Sequence, residues 1–148
     1  MIKNYRLGFS WVGLIAVVLI MLPNLLYLFG TPPNDVLGDN SSVAMFWNVL
    51  ENIGRFGLMI ALCFVINKTT PTRNRVVTIM AICSLLAYYL LWFAYFTGRF
   101  NGISLVGMAV FPSAFFLLTA WRQRNVFAFS FATLFAIVHI SITSCNFL

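Results

Sequence analysis

Residues 43–66 read VAMFWNVLENIGRFGLMIALCFVI, a stretch of membrane-spanning length whose apolar run is broken near its middle by Asn48, Glu51, Asn52 and Arg55. These four positions stand at i, i+3, i+4 and i+7, so in a helix they form one polar stripe on one face. At 1.5 Å per residue, Glu51 lies about 12 Å and Arg55 about 18 Å in from Val43. An ionisable side chain at the centre of a transmembrane helix costs ~3 kcal/mol on insertion scales, so both groups should face a bundle interior or a wet cavity. Glu four residues before a cation is also the favourable order for an ion pair within one helix. A late start of this helix would move the stripe to the interface, but Ile53–Ile66 alone is too short to span.

Four further stretches of about 20 apolar residues flank this one: Leu7–Phe29 before it, and Val76–Thr97, Ile103–Trp121 and Val126–Leu148 after it. The composition agrees. Of 148 residues, 61% are apolar, 17% aromatic and only 8% charged, whereas an ordinary soluble domain carries about 25% charged residues. That excludes a soluble globular protein. Lys3 and Arg6 before the first stretch suggest a signal peptide, but the apolar run is too long and no small-x-small cleavage site follows. The last stretch turns polar at His139, Ser141, Thr143, Ser144 and Asn146, so it should face neighbouring helices.

The net charge of +6 is explained by placement and requires no nucleic acid. Lys3, Arg6, Lys68, Arg73, Arg75, Arg122 and Arg124 fall on alternate connections, opposite Asp35, Asp39 and the single cation Arg99. The positive-inside rule then puts the N-terminus in the cytoplasm and, with five spans, the C-terminus outside. The connections are short, so consecutive helices are expected to be antiparallel neighbours and no catalytic domain fits between them. The longest, Gly30–Ser42, is rich in turn formers and reads as an ordered turn or small lid. The expected fold is all-α: an integral membrane protein forming a five-transmembrane-helix antiparallel bundle, one domain over residues 1–148, in a bacterial cytoplasmic membrane.

The intramembrane polar inventory is small. Pro23 should kink the first helix and bring Asn24 to a depth comparable with Glu51. Ser84, Tyr88, Trp92, Tyr95 and Arg99 make an aromatic stripe down the third helix. Trp92, Tyr95 and Trp47 suit an interfacial belt, whereas Tyr88 is deeper and needs a partner for its hydroxyl. If the stripe faces Glu51 and Arg55, the two enclose an aromatic-walled pocket with one charged end, open outward. Ala128, Ala132, Ala136 and His139 form a ridge for close helix contact, the one feature pointing to a homodimer. A lone histidine and three cysteines without C-x-x-C spacing provide no metal site, and Cys63 and Cys83 read as core. Sequons at Asn40 and Asn67 and a prenylation-like C-terminus at Cys145 are chance matches.

Two readings of the stripe stay open: a pin in which Glu51 and Arg55 neutralise each other, and a pocket in which they meet a ligand. The leading expectation is binding of a small amphipathic or lipid-like molecule, for transport or sensing, at Asn48, Glu51, Asn52, Arg55, Asn24, Tyr88, Trp92 and His139. The alternative is a structural or interaction protein, such as an immunity factor or a subunit docked on a larger membrane partner. An intramembrane lipid-modifying enzyme would use Glu51 or His139 as acid or base. No carboxylate pair, nucleophile-base arrangement or phosphate loop accompanies them, so neither enzymatic activity nor a cofactor is expected.

Overall fold

The computed structural model describes residues 4–30, 32–42, 44–69 and 71–148. Lys3 and Val43, used above to judge orientation and depth, lie outside the described residues. Five helices run α1 Trp11–Phe29, α2 Met45–Phe64, α3 Arg75–Phe96, α4 Gly102–Arg122 and α5 Val126–Phe147. Two short strands, β1 Tyr5–Leu7 and β2 Val65–Asn67, pair antiparallel with Tyr5 opposite Asn67.

The strands correct two helix limits. Leu7 belongs to β1, and α1 begins only after Ser10, whose hydroxyl accepts from the Gly13 amide at 3.1 Å. Val65 and Ile66 likewise leave α2 for β2. Extended backbone at both points lets the N-terminal segment run beside the end of α2, where the Ser10 amide donates to the Cys63 carbonyl at 2.8 Å.

Helices α1, α3, α4 and α5 are long and apolar enough to cross a membrane. Their outer faces carry Val18, Leu86, Leu90, Phe93 and Ile137, each half or more exposed, a pattern that water does not tolerate over a whole surface. The chain is an all-α membrane protein. Helix α2 has comparable length, but Asn48, Glu51, Asn52 and Arg55 lower its mean hydropathy.

Around the bundle the helices follow one another in the order α1, α2, α5, α4, α3, with α1 closing the ring more loosely against α3 and α4. Helices α2 and α3, consecutive in sequence, are therefore not packed side by side as expected. Their connection crosses the end of the bundle instead, where the Thr72 amide donates to the Arg122 carbonyl at 2.9 Å. Helix α5 takes the place beside α2. At Gly54 a Cβ would stand 2.8 Å from the Phe135 amide nitrogen, so this glycine permits the α2–α5 approach. Ala128, Ala132 and Ala136 are buried within the chain, so the small-residue ridge is spent on the chain's own helices and no longer argues for a dimer. Cys63 is buried, but Cys83 is exposed rather than core.

Pro23 sits inside a continuous α1. Lacking an N–H, it leaves the Leu19 carbonyl without its helical donor. The Tyr89 hydroxyl supplies one from α3 at 2.7 Å.

Candidate functional site

The ring encloses a cavity of about 330 Å³ lined by all five helices. The charged wall comes from α2 and α5. Arg55 Nη2 donates to Glu51 Oε1 in an i, i+4 ion pair, and His139 Nδ1 stands 3.0 Å from the same carboxylate oxygen. No aligned hydrogen bond is made by His139 Nδ1, although it is buried. Phe135 stacks on the His139 ring at 4.8 Å between centroids and takes the Arg55 guanidinium on its face at 5.7 Å. The helix begins at Met45, so Glu51 is roughly 9 Å and Arg55 roughly 15 Å from its start. That puts Arg55 midway along α2 and excludes a late helix start.

The facing wall is aromatic. Tyr88 and Trp92 of α3 are 3% and 5% exposed and meet edge-on. Asn24 of α1 donates to the Tyr88 hydroxyl at 3.0 Å and to the Ile20 carbonyl at 3.1 Å, so Pro23-Asn24 does bring Asn24 to the Tyr88 stripe. Trp92 Nε1 is buried without a hydrogen-bond partner. An indole N–H is a donor only, and stranding it costs about 1–3 kcal/mol.

Asn24, Glu51, Arg55, Tyr88, Trp92 and His139 thus line one cavity. Asn48 and Asn52 do not. Asn48 is spent on the preceding loop, accepting from the Ser42 amide at 2.8 Å and donating to its carbonyl at 2.7 Å. Asn52 is exposed on the outside of α2. A face defined by i, i+3, i+4 and i+7 is wide, and the interior here takes only its Glu51 side.

Trp92 and Tyr95, read above as belt residues, are buried and do not stand on the outer surface of the bundle. The loop over residues 32–42, with a 3-10 turn at Leu37–Asp39, folds back over them. The Tyr95 hydroxyl donates to Asp35 Oδ1 and accepts from the Val36 and Leu37 amides at 3.0 and 3.1 Å. The Tyr27 hydroxyl donates to Asp35 Oδ2 at 2.6 Å. These bonds, Tyr27 foremost, hold the Asp35 carboxyl below its ordinary pKa. Asn40 reaches α5, donating to Thr143 Oγ1 at 3.0 Å. Leu37 and Asn40 therefore cover the cavity at the end where an outward opening was expected.

Sequence reasoning missed Asn125 altogether. Its side chain, 1% exposed, donates to the Ala61 and Val65 carbonyls at 2.9 and 2.8 Å and accepts from Ala128. Only its place one residue before an apolar run hinted at a cap. Among the described residues, no group of three His, Cys, Asp or Glu side chains is placed to hold a metal ion. No protein-family model, curated protein or solved structure matches the chain.

Proposed function

We propose that the chain is a five-span membrane protein that binds a small amphipathic or lipid-like molecule in this cavity, for transport or sensing. The observation that carries the reading is the joint placement of a half-satisfied charged cluster and a stranded indole N–H on one central cavity. A pure structural pin needs neither the space nor the spare donor. The cavity volume falls at the small end of ligand sites, about 300–1,000 Å³.

Spanning by α2 is supported by its 20 residues, about 30 Å of helix, and by its side-by-side contact with α5. The basic residues Arg6, Lys68, Arg122 and Arg124 gather where β1, β2 and the α4–α5 turn meet, which argues for a cytoplasmic N-terminus and an outward C-terminus. A reporter active only in the cytoplasm, fused after Leu148, should stay dark. A bright fusion would break the five-span count. Our reading of the membrane is a bacterial cytoplasmic one, with the charge asymmetry bearing only on which end faces the cytoplasm, and we do not assign the chain an enzymatic activity.

Exposed Asn52 on an otherwise apolar face favours a second reading, in which α2 docks on a larger membrane partner through a polar contact. Substituting Glu51→Gln and Arg55→Gln singly and together separates the pocket from a purely structural pin. A pin predicts that the double variant is more stable than either single one, with no small molecule lost from organic extracts of the purified protein. A pocket predicts that all three stay folded and lose the same extracted compound.

A further inference from the structure

The unused polar capacity of the cavity belongs mostly to donors. Glu51 already faces Arg55 and His139 and keeps only 10% of its side chain exposed, whereas Arg55 keeps 38%. A guanidinium has five N–H donors, and Arg55 spends one of them on Glu51. Trp92 adds a buried N–H that makes no well-aligned hydrogen bond, with the Tyr88 hydroxyl alone acting as a weak acceptor near it. The Tyr88 hydroxyl, by contrast, accepts from Asn24 and donates to the Ile20 carbonyl. What fits this set is a group made of acceptors, and an anion best, because charge-assisted bonds to a guanidinium are the stronger kind.

The route in follows from the faces of α2. Gly54 and Gly57 touch Phe135 and Phe131 of α5, so that flank is closed. Leu62, seven residues after Arg55 and hence on its face, lies against Gly13 of α1, where a Cβ would stand 2.0 Å from the Leu62 carbonyl oxygen. Arg55 therefore leaves α2 on the flank nearer α1, with its guanidinium reaching over the Phe135 ring. Antiparallel helices that cross at Gly13 and Leu62 bring Ile20 level with Arg55, Met21 level with Gly54 and Asn24 level with Glu51. Met21 and Met59 line the cavity there, neither of them buried, and exposed Asn52 lies just beyond. The α1–α2 seam is thus apolar at its lips and polar within, at mid-helix depth.

We infer that the occupant is an amphipathic acid, whose carboxylate or phosphate is held by Arg55 and the Trp92 N–H and which arrives sideways from the bilayer through the α1–α2 seam. A volume at the small end of the ligand range leaves most of an acyl chain in the seam, against Met21 and Met59. This rests on the binding reading proposed above.

The test uses the full chain carrying Trp11→Phe, Trp47→Phe and Trp121→Phe, so that Trp92 alone fluoresces, in detergent micelles at pH 8. Dibromostearic acid, the matching alcohol and the matching amine are compared as quenchers. The expected result is saturable quenching by the acid at a concentration at least tenfold below that of the alcohol or amine, with the preference abolished by Arg55→Gln and partly kept by Arg55→Lys. Equal quenching by acid and alcohol would overturn the acid inference and leave the binding reading standing. Tighter quenching by the amine would assign recognition to Glu51 and overturn it as well. Displacement of the bromo acid by equimolar inorganic phosphate or acetate would put the anion's source in water and overturn the lateral route. Absence of saturable quenching by any of the three removes both this inference and the binding reading. Should Arg55→Gln fail to fold, the ranking on the Arg55 chain and Arg55→Lys decides the matter.

Discussion

The two ends of the bundle are closed by different means. At the basic end the closure is largely backbone: β1 against β2, Gly13 against the Leu62 carbonyl, and Asn125 bridging to the last turn of α2 and the residue that follows it. At the other end it is side chain on loop, with Asp35 gripped by Tyr27 and Tyr95, and Asn40 resting on Thr143. Backbone contacts have one register and no charge to lose. A carboxylate held by two hydroxyls can be released by a proton or one substitution, and Leu37 and Asn40 of the same loop line the cavity. One end is therefore held by a fixed backbone register and the other by side-chain bonds that a single substitution can remove.

The largest blow to this contrast should come at the backbone-closed end. Gly13→Leu has no space beside Leu62, and overpacking costs about 1–3 kcal/mol or more. It should abolish folded protein in fluorescence-detected size-exclusion chromatography, and a monodisperse peak near the wild-type position would refute the close crossing. Asn125→Ala comes next: the Ala61 carbonyl keeps the Val65 amide, but the Val65 carbonyl loses its side-chain donor, at about 1–3 kcal/mol, and the thermal midpoint in detergent should fall markedly. Breaking the Glu51–Arg55 pair from one side should lower stability in chemical unfolding by up to about 3 kcal/mol, and the double substitution should recover none of it.

The smallest effect is at the loop end. Asp35 has its pKa lowered by the Tyr27 and Tyr95 hydroxyls, so its ionised form stabilises the loop. That stabilisation is complete above the unfolded value of about 3.9 and is lost as pH falls through the lower folded value. Hydrogen exchange at the Val36 and Leu37 amides should be equally protected at pH 5 and pH 7. Asp35→Asn should raise it several-fold at both, with exchange at the β1–β2 end unchanged. Equal acceleration at both ends would erase the distinction between them.

The residues that the sequence made legible are those whose position along a helix decides their environment. Glu51 and Arg55 lie well inside the length of α2 and line the interior, and Asn24 beside Pro23 reaches the Tyr88 stripe. What stayed hidden depends on who the neighbour is. Periodicity gives a face but not its partner, so the α2 stripe looked wide enough to include Asn48 and Asn52, and α3 looked like the helix beside α2. Trp92 and Tyr95 near a helix end serve an interface or a covering loop equally well in sequence, and only the return of Asp35 across sixty positions distinguishes the two. Three-residue strands carry no alternation to read, so β1 and β2 passed for helix ends.

The most direct test of the central claim is native mass spectrometry of the intact protein released from native-membrane discs, run beside Glu51→Gln under identical conditions. A discrete small-molecule adduct on the wild-type chain, lost in the variant, is the predicted result. A bare chain in both, or a second protein of fixed mass retained in both, would contradict the binding site and leave the Glu51–Arg55 cluster a structural pin or an interface.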